Sequence, residues 1–330
     1  MFDIVTFGGA TRDIFLKTSE GVILPNEACN QEKMLSFKYG QKILTDEAHF
    51  NYGGGAFNAA ISFAKLGLNT APCVNVGEDE SSHSIVTTLK SLNVDTSFVG
   101  VDLDNHTALS IIVIDKGEHI AFLHRGANDF LRLKNQDEME NTKWFYIASL
   151  TGSSDAVLPD ILKIASDNKI KIAFNPGSTQ LKKGYRGLKN VLEHVDILSL
   201  NKEEAEELVG SIAHSELESE RALMLELLKM GPKSVVMTDG VRGSYYADKE
   251  NIIFEDSFGS GRAVDTTGAG DAFGSTFLAC VIKGLGRKES LRLAAANSAN
   301  VVKYIGAQTG LMTMKEIRES LARDRKAKVT

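Results

Sequence analysis

Short apolar runs alternate along this chain with stretches whose apolar residues recur every three or four positions. "DIVTFGG" (3–9) reads as a buried strand entering a turn. "FNAAISFAKLG" (57–67) has helical spacing and a glycine stop, and "TAPCVNVG" (70–77) returns to a strand. "SSHSIVTTLKSLN" (81–93) is helical again. Four further buried strands follow in "KWFYIAS" (143–149), "KIKIAFN" (169–175), "VDILSLN" (195–201) and "KSVVMTD" (233–239), with helical pattern around them, as in "ALMLELLKMG" (222–231). This β–α alternation predicts a mostly parallel sheet covered by helices on both faces.

Two regions break the rhythm. Residues 14–52 hold no helical pattern, and 106–124 read as a hairpin turning at "DKGE". Together they suit a small β flap outside the α/β core. The basic tail "RDRKAKVT" reads as a frayed helix end.

Composition narrows the class. The chain has 330 residues, 43% of them hydrophobic, which is enough for a substantial core. No window reaches the roughly 18 apolar residues of a membrane span, and the N-terminus lacks the pattern of a signal peptide. A net charge of −6 argues against nucleic acid as a partner. Three scattered cysteines, Cys29, Cys73 and Cys280, suit a reducing cytoplasm better than a disulfide framework.

The chemistry concentrates in two glycine clusters. "AVDTTGAGDAFGSTF" (263–277) sets Gly268, Ala269 and Gly270 at the mouth of a helix expected from about Gly270 to Gly284, with Asp271 in its first turn. Loop amides and the positive helix end make an anion site, and the dipole stabilises Asp271 as a carboxylate. Asp271 is then either a good first-turn residue or a general base beside a developing anion. "NYGGGAFNAAISFAKLG" (51–67) repeats the design with Gly53, Gly54 and Gly55, and places Asn58 where it can donate to and accept from a polyol. The Walker motif is absent, so nucleotide chemistry here is not of the P-loop type. The chain has no HExxH, CxxC pair or GxSxG, and "FGGATRD" lacks the full dinucleotide fingerprint. His119 and His124 lie in an expected strand without metal-ligand spacing.

Taken together, these pieces resemble the ribokinase (PfkB) family of carbohydrate and nucleoside kinases. "GGGAFNAAISFAKLG…NVGED" resembles its N-terminal signature and "DTTGAGDAF" its long, specific C-terminal one. "GGATRD", "RGAND" (125–129), "LNKEEAEEL" (200–208) and "TDGVRG" (238–243) fall in the family's order, so the resemblance covers essentially the whole chain. It implies one ribokinase-like domain over 1–330, an α/β three-layer sandwich with a small lid from roughly 14–52 and 106–124. It implies ATP and Mg²⁺ as cofactors, with Asp271 as base and Gly268, Ala269 and Gly270 as anion hole. Asp13, Gly54, Gly55 and Asn58 would hold the acceptor hydroxyls. Asn201 and Glu204 would organise water-coordinated Mg²⁺ while also forming an N-x-x-E capping box. Thr238, Gly240 and Gly243 would border the nucleotide. Many members bind a monovalent cation, K⁺ here, for which Asp265 and Thr267 match one loop. Carbonyls of Val301, Tyr304 and Gly306 in "VVKYIGAQTG" match the other. Thr276 departs from the family's usual Ala or Gly.

The expected reaction is ATP-dependent phosphorylation of a hydroxymethyl group on a small sugar. A nucleoside kinase is the runner-up, with Phe37, Tyr39, Phe50 and Tyr52 either stacking on a base or packing the lid. A non-catalytic sugar-sensing relative is the reading from another class, disfavoured by the intact Asp271. A homodimer through the lid edge is a further expectation.

Overall fold

In the computed structural model of the chain, residues 1–25, 33–115, 118–211, 219–259 and 263–327 are described. Cys29 and the Lys116–Gly117 hairpin turn fall outside these residues. Strands appear in chain order as β1 (Phe2–Phe7), β2 (Thr11–Lys17), β3 (Val22–Pro25), β4 (Lys33–Ser36), β5 (Glu47–Gly53), β6 (Thr70–Gly77), β7 (Val99–Asp102) and β8 (Ala108–Asp115). They continue as β9 (Glu118–His124), β10 (Thr142–Ile147), β11 (Lys171–Phe174), β12 (Ile197–Asn201), β13 (Ser234–Thr238), β14 (Ser244–Asp248) and β15 (Ile252–Glu255).

The large sheet has nine strands in the order β15-β14-β13-β12-β11-β10-β1-β6-β7. It is parallel from β7 to β13, and β14 and β15 add antiparallel strands at one edge. Period-two alternation sends successive side chains to opposite faces. Phe145 and Ile147 of β10 therefore join one core with the helices Leu158–Asn168, Lys202–Gly210 and Glu220–Lys229. Trp144 and Tyr146 join the other, with Gly55–Lys65, Ala269–Ile282, Arg287–Val301 and Met314–Ala327. The mostly parallel sheet between helical layers is the architecture expected from the hydrophobic pattern.

A separate four-stranded sheet runs β5-β2-β8-β9. Its β2–β8 pair is parallel and its outer pairs antiparallel. It begins at Thr11, three residues earlier than expected, which places Asp13 inside a strand opposite Asn51 and Ser110. Asp13 shares its face with buried Phe15 and Ile112, whereas Phe50, Ile14, Ile111 and Phe122 form a row across the opposite face. Phe50 and Phe122 are each 61% exposed there. Phe50 and Tyr52 are therefore turned away from Asp13 by strand parity, and Tyr39 is fully exposed. Phe50 and Tyr39 stand exposed, whereas Tyr52 packs against the buried cluster that holds Ala10, Ala56 and Phe57.

The helix that carries Asp271 is fastened from inside. The Asn297 amide donates to Thr276 Oγ1 at 2.8 Å, and Asn297 Oδ1 accepts from Met312 N at 2.9 Å. Thr276 Oγ1 donates to the Ala272 carbonyl at 2.6 Å. Thr276 and Asn297 are both fully buried, so the hydroxyl that departs from the family pattern has a buried partner. Asn297→Ala leaves the Met312 N–H unpaired and opens a small cavity, a loss expected near 2–4 kcal/mol. Thr276→Ala leaves one amide proton of Asn297 unpaired and should cost less, about 1–2 kcal/mol. Urea unfolding checks that order, and a larger loss in Thr276→Ala would contradict it.

Candidate active site

The site lies beyond the carboxyl ends of the parallel strands, where open α/β sheets place ligands. Two glycine-led helices meet there. Gly54 has φ +97°, and a Cβ on it would run into the Gly9 carbonyl. Only glycine allows the chain to turn this tightly into the helix Gly55–Lys65. Gly268 does the same for Ala269–Ile282, with φ +75° and the side of Ala307 against it.

The two helix starts are joined by side chains. Asn58 Nδ2 donates to Asp271 Oδ2 at 2.9 Å, and Asn58 Oδ1 accepts from Gln308 Nε2 at 3.0 Å. Gln308 Nε2 also donates to the Tyr52 carbonyl at 2.8 Å, linking this pair to β5 of the small sheet. Asn58 is 5% exposed, so its amide positions Asp271. Asn128 of the "RGAND" stretch accepts from Ala10 N at 3.0 Å, which fixes the chain entering β2 and hence Asp13.

On the far side of Asp271 opens a cleft of about 220 Å³. Asn201, Glu204, Thr238, Gly268 and Gly270 line it with Asp271, as do Asn175 and Ser199. A Cβ at Gly270 would meet no atom of the described residues within 4 Å, so the space beside it suits a ligand's approach. Asn201 and Glu204 form the expected capping box: Glu204 N donates to Asn201 Oδ1 at 2.8 Å, and Asn201 N donates to Glu204 Oε2 at 2.9 Å. One carboxylate thus caps a helix and faces the cleft. Gly240 and Gly243 sit in the turn past Thr238 and do not line it.

Three sequence expectations change in detail. Ala269 N donates to the Thr266 carbonyl at 3.2 Å, which leaves Gly268 and Gly270 as the loop residues on the cleft. Asp265 Oδ1 accepts from the amide and hydroxyl of Thr267 at 2.9 and 2.7 Å, and Oδ2 accepts from Gly306 N at 2.8 Å. That carboxylate is a clasp between the two loops proposed for a cation. The Val301 carbonyl accepts from Tyr304 N at 3.0 Å.

The third change concerns charge. Burial pushes Asp271 up to about 6, opposed by the Asn58 hydrogen bond and reinforced by Glu204. The helix end, worth about 0.3–1 kcal/mol, loses to desolvation. Burial likewise pushes Asp13 up to about 6, with the charge of Asp265 adding to it and the Ser110 hydroxyl opposing it. Glu204 is raised by burial too. A carboxylate near 6 is well matched to general-base work around neutral pH. Asn175, Ser199 and Gln308 escape sequence reasoning, since none stands in a recognisable pattern.

The model of the pfkB family carbohydrate kinase matches residues 27–314, and the chain belongs to that family. An ATP-dependent 6-phosphofructokinase of Thermoanaerobacterium thermosaccharolyticum is 26% identical over 297 residues, 86% of this chain and 89% of that protein. A nucleoside kinase of Methanocaldococcus jannaschii is 28% identical over 275 residues, 83% of this chain and 86% of that protein. A Bacillus subtilis ribokinase is 26% identical over 289 residues, 86% and 92% of the two chains. The solved structure of a nucleoside kinase from M. jannaschii superposes with a TM-score of 0.78 at 25% identity, covering 97% of this chain and 98% of that one. Arabidopsis thaliana ribokinase, complexed with ribose and ATP, has the same fold, with a TM-score of 0.80 at 22% identity over 97% and 98% of the chains. The protein is a phosphotransferase acting on an alcohol group. No helix among the described residues is long and apolar enough to cross a membrane.

Because the folded-state pKa values of Asp13 and Asp271 stand near 6, above the ordinary 3.8, the native protein holds these protons more tightly than the unfolded chain. Their contribution to stability is therefore greatest below about pH 4 and is lost as pH rises through 6. Asp13→Asn and Asp271→Asn should each raise Tm at pH 8, and the gain should shrink as pH falls through 6 and vanish below about 4. Melting curves across that range check the sign. A lower Tm for both variants at pH 8 would mean that the carboxylates are stabilised as anions.

Proposed function

We propose that the protein transfers the γ-phosphoryl group of ATP to a hydroxymethyl group of a small sugar. The observation that carries this reading is Asp271 between two unlike surroundings. One side leads through Asn58 to the glycine turn and the Asp13 face of the small sheet. The other opens on the cleft of Asn201, Glu204, Thr238 and the glycine loop. An acceptor hydroxyl held on the first side would lose its proton to Asp271 as its oxygen attacks phosphorus in the second.

The residues fit the expected nucleotide and metal. Loop backbone at Gly268 and Gly270 at a helix N-terminus suits phosphate oxygens. Glu204, with one oxygen engaged by the Asn201 amide, has another to hold a hydrated Mg²⁺, which keeps several of its waters. Bound there, Mg²⁺ would offset the charge of the phosphates. A K⁺ beside this loop would have to share Asp265 with the three protein donors it already accepts from. The small sheet would act as a lid that keeps water from the phosphoryl group. Buried free thiols at Cys73 and Cys280 suit a cytoplasmic setting.

One observation favours a nucleoside acceptor as the second reading. Beside Asp265 lies a recess of about 160 Å³ between Ile112 and Ile114 of the small sheet and Ala263 and Val264 of the loop. His119, Asp265 and Thr266 complete its walls, so apolar faces for a flat base stand beside groups that could pair with its edge, and the Asp265 carboxylate would disfavour a second phosphate.

Asp271→Asn tests the central assignment. Asparagine keeps the shape and a helix start, so ATP and acceptor binding should persist. Turnover should fall roughly 100- to 10,000-fold, the worth of a positioned base. Calorimetry and steady-state assays against pooled sugars and nucleosides read both quantities. Near-normal kcat would overturn the base assignment, and a wild-type protein that binds a sugar but turns over no acceptor would restore the sugar-sensing reading.

A further inference from the structure

The cleft walls are accounted for, but what lies beneath them is not. Tyr146, the next-to-last residue of β10, is 1% exposed and packs its ring edge-on against Phe63 at 5.6 Å between centroids. The ring is well placed, yet its hydroxyl oxygen has no hydrogen-bond partner among the described residues. A buried hydroxyl left unpaired is costly and rare.

Gly274 stands directly over this oxygen. It lies three residues beyond Asp271 on the same helix, hence on nearly the same face. A Cβ there would lie 3.2 Å from Tyr146 Oη and 3.3 Å from Ser199 Oγ. Glycine thus leaves a notch with a hydroxyl on either side. Ser199 belongs to the cleft wall with Glu204 and Asp271, and its backbone carbonyl is fixed by the Asn175 amide at 2.9 Å. Burial, with the charges of Asp271 and Glu204, pushes the phenol well above its usual range, so Tyr146 stays a neutral donor.

We propose that Tyr146 is a positioning residue for the phosphate cleft: its hydroxyl and that of Ser199 hold one ordered water in the notch at Gly274. Buried waters settle where two or more polar groups would otherwise lack partners. Tyr146 donates to the water, and the water donates to Ser199 Oγ. A hydroxyl that accepts from below is left to donate above, so the Ser199 O–H is turned toward the anion in the cleft. Tyr146 would thereby orient a donor for the nucleotide phosphates without touching them. This rests on the cleft being the phosphate side of the site.

The test compares Tyr146→Phe, Ser199→Ala, the double variant and Gly274→Ala with the wild type. Tyr146→Phe removes one oxygen and keeps the ring, so the fold should be kept, with the melting temperature lowered by no more than a few degrees. Its affinity for a non-hydrolysable ATP analogue with Mg²⁺, read by calorimetry, should weaken roughly 3- to 10-fold, the worth of one hydrogen bond. Acceptor affinity should be unchanged. The double variant should bind no more weakly than Ser199→Ala alone, because Tyr146 acts only through Ser199. Gly274→Ala, which fills the notch, should reproduce the Tyr146→Phe loss. Wild-type nucleotide affinity in Tyr146→Phe, or additive losses in the double variant, would overturn the proposal. If Tyr146→Phe binds normally while Asp271→Asn is inactive, this proposal fails alone. Loss of analogue affinity in Tyr146→Phe alongside an active Asp271→Asn would leave it standing while the base assignment falls.

Discussion

The Asn58 amide is the constraint on which the site depends. It donates to Asp271 and accepts from Gln308, so one buried side chain joins the start of one helix, the start of another and a loop tied to the small sheet. Each glycine-led turn is strained toward one geometry by its own backbone, but nothing local orients the two turns relative to each other. Asn58 does so. Its two ends have opposite hydrogen-bonding character, so the bridge works in one direction only. Asp271 is thereby held between the Asn58 side and the cleft, where the proposed base would stand.

Holding a carboxylate there has an electrostatic cost. The helix dipole and Asn58 favour the anion, whereas burial and Glu204 oppose it, and burial dominates. The same balance recurs at Asp13. Two carboxylates poised near 6 make the empty site less stable than a neutral one, which is the familiar trade of stability for reactivity. The small sheet adds to the burial: the Asp13 side chain projects over Gly53, where a Cβ would collide with it. That contact explains a glycine which the pattern alone left as one member of a run.

Much of this was legible because the chemistry is local. Asp271 behind Gly268–Gly270 is a helix-start pattern, and Asn201 with Glu204 is a capping box whose spacing is set by one turn of helix. Parallel strands buried on both faces announce themselves as apolar runs. Asn175, Ser199 and Gln308 were not legible, since each reaches the site through tertiary placement from a strand end or loop that says nothing of its neighbours. The parity of Phe50 and Tyr52 depends on strand register, which a one-residue shift reverses. Thr276 stands out in the sequence only as a departure from the family's usual Ala or Gly, and only Asn297, twenty-one positions later, shows that its hydroxyl has a partner.

The most direct measurement of the central claim is the titration of the Asp271 carboxyl itself. Carbon-13 labelling of aspartate, with the Asp271→Asn variant to assign the signal, follows it in the free enzyme. Its midpoint should lie near 6, and the acid limb of kcat/KM, which reports the free enzyme's base, should share that midpoint. A carboxyl titrating near the ordinary 3.8 while kcat/KM falls off elsewhere would contradict the account.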